Sequence, residues 1–348
     1  MVSQARIRRS FVTAAEIAER AGVSRSAVSR TFTPGASVSN AMRARVTAAA
    51  ETLGYRVNRL AQSLTNARSN IVGLVGADLQ QPFHAGLLAA LSETLLADGF
   101  QCMLLNAANA GRDMGAIIER VLEYRVCAIV VMNGTPPSGI VKECLSNGVP
   151  VILVNKTMPG FAVDTVVSDH AAGGRAAADR LLAAGCRRLV VVSSGARTAS
   201  LVGRIDAFRK RAAEADVPVR LWQTGPTDYA TGRDAALSML DDDAVDGAFC
   251  VTDLLALGFI DAARIDRSRS VPRDLSVIGF DDIPQAAWNA YRLTTFRQPV
   301  RSLTDQVMKV IRQRAETPDL PHAVFTLPAT LVERNTVRPA RQPLRRAR

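Results

Sequence analysis

The chain has 348 residues, 43 Lys and Arg against 32 Asp and Glu, a net charge of +11, and 48% hydrophobic but only 5% aromatic residues. That leaves room for a small domain and one or two larger ones with an aliphatic interior. No run approaches the ~20 apolar residues of a membrane span, and no apolar stretch that would make a secretory signal precedes the first helix. The five scattered cysteines (Cys102, Cys127, Cys144, Cys186, Cys250) suit reduced thiols, so a cytoplasmic protein without membrane contact is expected.

The first predicted elements are two short helices within residues 13–33. Thr13 and Glu16 form a capping box, Gly22 supplies a left-handed stop, and Ser24 is a good N-cap for the second helix. Ile17, Ala18, Ala21 and Val28 form the faces that bury together. Arg25, Ser26, Ser29 and Arg30 point elsewhere. Arg25 and Ser26 occupy the first turn of the second helix, where a groove-reading helix contacts base edges. Arg can bond both acceptors of a guanine edge, and Ser suits several bases. An ordinary helical hairpin with a solvated basic face is the alternative. A third helix starts at Ser39 and ends at Gly54, with Met42, Val46, Ala50 and Leu53 as its apolar stripe. Arg43 and Arg45 either touch phosphates or are solvated.

From residue 70 the pattern changes to aliphatic strands alternating with helices. Strands are expected at 71–77, 101–106, 127–132, 149–154, 165–168, 188–193, 219–223, 247–251 and 275–280. Helices fall at 83–98, 113–124, 138–147, 171–184, 200–215, 229–240 and 253–265. Near-continuous apolar strands separated by helices indicate parallel sheets covered on both faces. So many strands exceed one sheet, so two doubly wound subdomains are expected, split near 155–164. Ligands bind beyond the carboxyl ends of such strands. Asp78, the segment 80–84, Asp169, His170, the segment 197–204, Asp253, Asp281 and Asp282 all fall there. Carboxylates with an arginine suit a hydroxyl-rich molecule, but Asp169 and Asp253 also stand where Asp caps helices.

Charge is segregated. Residues 1–70 hold eleven Arg and three Glu, and the last fifteen residues hold six Arg and no acid. The long middle is slightly acidic. This is the footprint of a nucleic-acid module attached to a near-neutral domain. The segment 335–348 is broken by prolines and reads as a basic, disordered tail. Enzyme signatures such as a phosphate-binding Gly-rich loop, a nucleophile elbow or a His-Glu-x-x-His zinc motif are missing. Ser193-Ser194-Gly195 reads as a loop. His84 and His170 lack a suitably spaced third ligand for a metal, so neither catalysis nor a cofactor is expected. A sugar-binding transport receptor does not explain the N-terminal helices, and a general DNA-packaging protein does not explain the long α/β region.

Over nearly its full length the chain resembles the lactose-repressor (LacI-type) family of bacterial transcription regulators. The matching segments include Ala21-Gly22-Val23-Ser24 with Val28-Ser29-Arg30, Val38-Ser39 with Arg43-Ala44-Arg45-Val46, and Leu53-Gly54-Tyr55 with Asn58. Further on come Val72-Gly73-Leu74-Val75, Pro82-Phe83, Gly203-Arg204 with Phe208, and Asp253 with Ala256-Leu257-Gly258. Val277-Ile278-Gly279-Phe280-Asp281-Asp282 and Leu293-Thr294-Thr295-Phe296-Arg297-Gln298-Pro299 complete the set.

The resemblance implies an all-α helix-turn-helix headpiece (1–57) on double-stranded operator DNA. Arg25, Ser26 and Arg30 would read bases, with Ala27 and Ser29 beside them. It implies a hinge (58–70) that becomes helical on DNA, with Leu64 wedged into the minor groove. Val57 stands where the family usually has Pro and Gln62 where it usually has Arg. The core (71–334) is similar to periplasmic sugar-binding proteins and would bind a small-molecule effector. Arg204 is implied as the main ligand, followed by Asp281, Asp253 and Asp169, with Phe83, His84 and Ser200 lining the site. Thr227 falls where relatives often carry a large aromatic, which favours a sugar, sugar acid or similar polyol over a flat base. A homodimeric repressor is implied. No leucine heptads follow residue 334, so a tail-built tetramer is not expected.

Overall fold

The computed structural model describes residues 11–33, 35–57, 69–107, 114–134, 136–241 and 245–340. It divides into two compact units, residues 1–69 and 70–348.

The N-terminal unit is three helices, α1 (Ala14–Ala21), α2 (Arg25–Thr31) and α3 (Asn40–Leu53). The capping box forms in full: Glu16 N donates to Thr13 Oγ1 and Thr13 N donates back to the Glu16 carboxylate. Gly22 ends α1 at φ 62°, a conformation that disfavours any residue with a Cβ. Ser24 Oγ accepts from Ala27 N at 3.2 Å and starts α2. Ile17, Ala18, Ala21, Val28, Val46, Ala49 and Ala50 make the core. Leu53, expected in that stripe, is 37% exposed.

The C-terminal unit has the expected two-sheet α/β architecture. The first lobe holds β1 (Ile71–Gly76), β2 (Gln101–Asn106), β3 (Ala128–Val131), β4 (Val151–Val154), β5 (Asp164–Ser168) and β11 (Val324–Leu327). Their order is β11-β5-β4-β3-β1-β2, all parallel. Alternate residues serve opposite faces. Val72, Leu74, Ala128, Val130, Ile152 and Val154 pack under α4 (Pro82–Ala97) and α11 (Val300–Glu316). Val75, Ile129, Val131, Val151 and Leu153 pack under α5 (Met114–Glu123) and α6 (Ser138–Ser146).

The second lobe holds β6 (Leu189–Ser193), β7 (Val219–Gln223), β8 (Gly247–Cys250), β9 (Ser276–Asp281), β10 (Thr294–Arg297) and β12 (Thr330–Val332). Their order is β12-β10-β9-β8-β6-β7, with only β12 antiparallel to its neighbour. Its helices are α7 (His170–Ala183), α8 (Ala199–Ala213), α9 (Tyr229–Met239) and α10 (Asp253–Asp261). Helices α7 and α8 touch backbone to backbone: a Cβ built on Gly174 would meet the Arg204 carbonyl oxygen at 2.2 Å.

The expected subdomain split at 155–164 is corrected. That segment only joins β4 to β5, and β5 pairs with β4 in the first sheet through Ile152–Asp164 to Val154–Val166. The chain first crosses after Ser168, returns after β10 to build α11 and β11, and crosses again to β12. A buried bidentate pair fastens the return: Arg314 Nε and Nη2 donate to Asp164 at 2.7 and 3.0 Å. The same guanidinium donates to the carbonyls of Pro318, Leu320 and Pro321.

Candidate functional site

In the N-terminal unit, Arg25, Ser26, Ser29 and Arg30 are all exposed on α2, which carries no acidic residue. Arg30 Nε donates to the Ser26 carbonyl at 3.4 Å, so these two residues share one stripe. Ala27 is corrected. It is 2% exposed and faces inward, with its carbonyl accepting from Thr31 Oγ1 at 2.9 Å, so its methyl cannot reach a base edge. Arg43 Nη1 donates to the Thr31 carbonyl at 2.9 Å and ties α3 to the end of α2. Leu64 and the hinge residues 58–68 lie outside the described residues, as does the tail from 341.

Within the C-terminal unit, a cavity of about 300 Å³ lies at the carboxyl ends of the strands, lined from both lobes. The first lobe contributes Asp78 after β1, Gln81, Phe83 and His84 at the start of α4, Asn133 after β3, and Asn155 and Lys156 after β4. Gln81 stands in the N-cap position ahead of Pro82, whose missing N–H costs nothing at a helix start. His84 Nδ1 lies 3.1 Å from Asn133 Nδ2 and 3.3 Å from the Asp78 carbonyl oxygen. Burial lowers the Lys156 pKa.

The second lobe contributes His170, which opens α7, and Thr198, Ser200 and Arg204 along the first turns of α8. Thr198 caps α8 and its hydroxyl lies 3.0 Å from that of Ser200. Arg204 is 3% exposed, with its guanidinium carbon 3.6 Å from the centre of the Phe280 ring. It donates to the Val251 carbonyl and lies 3.5 Å from Asp281 Oδ1. Burial lowers its pKa to about 10, against the pull of Asp281 and Asp253, so it stays charged at neutral pH. Burial raises the Asp281 pKa, opposed by Arg204 and by the hydrogen bond from Gln298 Nε2 at 2.7 Å.

Asp169 and Asp253 do not line the cavity. Asp169 Oδ1 caps α7 by accepting from Ala172 N at 2.8 Å. Asp253 is wholly buried, accepting from Ile283 N at 2.9 Å and from Thr295 Oγ1 at 2.5 Å. Burial, and then the nearby Asp281, push its pKa up to about 8. The structural reading prevails for both carboxylates.

Asn133, Asn155, Lys156 and Gln298 were not anticipated as lining residues. Gln298, buried in the crossover after β10, accepts from Asn155 Nδ2 (2.9 Å) and Ser168 Oγ (2.7 Å) of the first lobe while donating to Asp281 of the second. Gln81 Nε2 donates to the Thr227 carbonyl at 3.1 Å, a second bond between lobes. Thr227 Oγ1 lies 2.6 Å from Ser194 Oγ. Among the described residues, no group of three or more His, Cys, Asp or Glu side chains is placed to hold a metal ion, and no helix is long and apolar enough to cross a membrane.

A three-helix unit with a basic second helix, followed by a two-lobed unit with a polar cavity between sheets, defines the class of ligand-responsive DNA-binding regulators. Residues 13–58 match the family described as bacterial regulatory proteins, lacI family, and residues 178–337 match a periplasmic binding protein-like domain. The chain is 30% identical over 333 residues to the transcriptional regulator GalS of Salmonella typhimurium, covering 94% of this chain and 97% of that one. It is 28% identical over 329 residues to the regulator DegA of Bacillus subtilis, covering 93% and 97%. Among solved structures, the lac repressor dimer bound to operator and the anti-inducer ONPF superposes with a TM-score of 0.85 at 22% identity, over 94% of this chain and all of that one. A regulator of Enterococcus faecium with bound ribose gives 0.70 at 22% identity, over 78% and 100%. The chain belongs to the lacI family of bacterial regulatory proteins and is a DNA-binding transcription regulator.

Proposed function

We propose that this protein is a homodimeric repressor whose affinity for a pseudo-palindromic operator is set by a sugar or sugar acid held in the two-lobed cavity, which it binds without chemical turnover. One observation carries the effector reading. The cavity wall holds a buried Arg204–Asp281 pair, with Arg204 stacked on Phe280, surrounded by amide and hydroxyl groups of both lobes. Such a wall can donate to and accept from vicinal hydroxyls, and a cavity of about 300 Å³ matches the small end of ligand sites. Phe83 offers the apolar face a sugar ring needs. Thr227 provides no stacking surface, which argues against a flat base. Relatives with this fold include regulators solved with ribose and with cellobiose.

On the DNA side, Arg25, Ser26, Ser29 and Arg30 form the reading face of α2. A good bidentate Arg–guanine contact is worth about 1–3 kcal/mol of discrimination. Two-fold symmetry in the protein is then mirrored in the operator. The effector acts by binding one arrangement of the lobes better than another, and coupling of about 1–3 kcal/mol changes operator affinity about 5- to 150-fold. Selection of genomic fragments by the purified protein, followed by titration with sugars and sugar acids, tests this. A short inverted repeat released or tightened by one of them is expected. Equal affinity for random duplex, whatever is added, refutes it.

A further inference from the structure

Two polar atoms at the cavity have no protein partner. His170 Nε2 and Thr252 Oγ1 are both closed off from solvent and unbonded, and both residues line the cavity. Thr252 is 8% exposed. It occupies the N-cap position of α10 yet makes no side-chain cap bond, so its hydroxyl is not spent on the helix. A buried polar group left unmatched is costly, and such groups are satisfied by ordered water or by a ligand.

The state of His170 is fixed by its neighbour. Arg204 Nε and Nη2 both lie 3.3 Å from His170 Nδ1. A guanidinium has only donors, so Nδ1 must be the acceptor and the proton resides on Nε2. Burial, and then the Arg204 charge, drive the His170 pKa down to about 2, so the ring stays neutral throughout the working range. Arg204 is itself immobilised by Phe280, the Val251 carbonyl and Asp281. The result is a neutral imidazole locked in one tautomer with its N–H unspent.

We propose that His170 Nε2–H and the Thr252 hydroxyl are effector-binding groups, and that the effector turns an oxygen with a free lone pair, a hydroxyl, ring oxygen or carboxylate, toward His170. This rests on the reading of the cavity as an effector site and narrows it. Next to Arg204 this wall offers a second donor, so a ligand with a protonated amine at that point is rejected. The donor does not titrate, so effector affinity carries no histidine step near pH 6.5.

The chain has only three histidines, His84, His170 and His322, which makes the test direct. The full-length protein, labelled with ¹⁵N-histidine, is examined by long-range ¹H–¹⁵N correlation from pH 5 to pH 8, with the His170 signals assigned from a His170→Phe variant. A neutral ring protonated on Nε2 at every pH is expected. A ring that titrates in this range, or carries its proton on Nδ1, overturns the proposal. In parallel, wild type, His170→Phe and Thr252→Val are titrated by thermal shift with D-galactose, D-ribose, D-gluconate and D-glucosamine. Thr252→Val keeps the shape of the side chain and breaks no bond within the protein, so its ligand-free melting temperature is at or above the wild-type value. Whichever compound stabilises wild type is expected to bind each variant about tenfold more weakly, the usual penalty for losing one hydrogen bond of this kind. Equal affinity in wild type and both variants overturns the inference while leaving the effector site standing. A wild type that responds to none of the four removes the sugar-effector reading itself and this inference with it.

Discussion

Gly174→Ala tests how the cavity wall is held in place. Inside a helix, alanine ordinarily gains about 1 kcal/mol over glycine. At 174 the new Cβ would stand 2.2 Å from the Arg204 carbonyl oxygen and 2.9 Å from its Cα, where ordinary contact lies at 3.4–4 Å. Every atom it meets there is backbone, so no side chain can swing aside. Helices α7 and α8 must separate by about 1 Å, and dense interiors resist such a shift. Overpacking of this kind costs about 1–3 kcal/mol. Set against the propensity gain, a net loss of up to about 2 kcal/mol is expected. Gly86→Ala on α4 is the control, since nothing lies within 4 Å of its added methyl; it should stabilise by up to about 1 kcal/mol. Urea unfolding of the two variants beside wild type reads both signs. Because Arg204 lies on the displaced helix, Gly174→Ala should also weaken the effector response. If Gly174→Ala is as stable as Gly86→Ala, the backbone-contact argument is wrong.

Arg204→Met should abolish the effector response while leaving operator affinity without effector near wild type, and gel-shift titrations with and without ligand separate the two. It also leaves Asp281 buried without its cation, so core stability should drop by about 3 kcal/mol at neutral pH. Asp253 gives a pH signature. Its pKa is raised in the fold, so its contribution is fully present below the unfolded carboxyl pKa near 3.8 and is lost as pH rises through about 8. Unfolding free energies across that window should fall more steeply for wild type than for Asp253→Asn, and parallel curves would contradict a protonated Asp253. Arg314→Leu should destabilise the core by about 3 kcal/mol or more, because Asp164 keeps its burial and loses its partner. Burial raises the Asp164 pKa but Arg314 outweighs it, so the shift is downward and the pair's contribution is lost as pH falls through the carboxylate range. In the headpiece, Arg30→Ala should narrow the affinity ratio between operator and random duplex, measured at one fixed salt concentration.

Much of the architecture was legible because its signals are local. Caps at Thr13, Ser24 and Ser39, the stop at Gly22 and the aliphatic strands depend on neighbours in sequence. The split between lobes was misplaced because strand membership is a long-range property. Nothing within 164–168 says that it pairs with 151–154 rather than opening the next lobe. The site was legible as a set of strand-end positions but not as a set of directions. Asp169 and Asp253 occupy the right ends and turn into the protein, toward Ala172 N and Ile283 N, and Ala27 sits in the reading helix but on its inner side. His170 drew notice as a strand-end residue and as a metal candidate, not as a partner of Arg204. Its pairing with Arg204 joins residues 34 positions apart and cannot be seen in the pattern. Gln298 carried a signal in the Arg297-Gln298-Pro299 segment, but its bonds to both lobes appear only in three dimensions.

The lobe translated first is not finished until residue 327, after nearly all of the second lobe. Its six-stranded sheet takes its final edge from 324–327 and one of its covering helices from 300–316, so a nascent chain that has emerged as far as β10 holds an incomplete first lobe beside a second lobe lacking β12 and the 334–337 segment that packs on β9 and β10. Domains generally fold in N-to-C order during synthesis, and this topology keeps the first lobe from closing in that order. Emergence of 300–327, rather than of the first five strands, becomes the event that closes the apolar face of β1, β3, β4 and β5. A stop codon between 300 and 323 would cost the N-terminal lobe its edge strand as well as costing the second lobe β12.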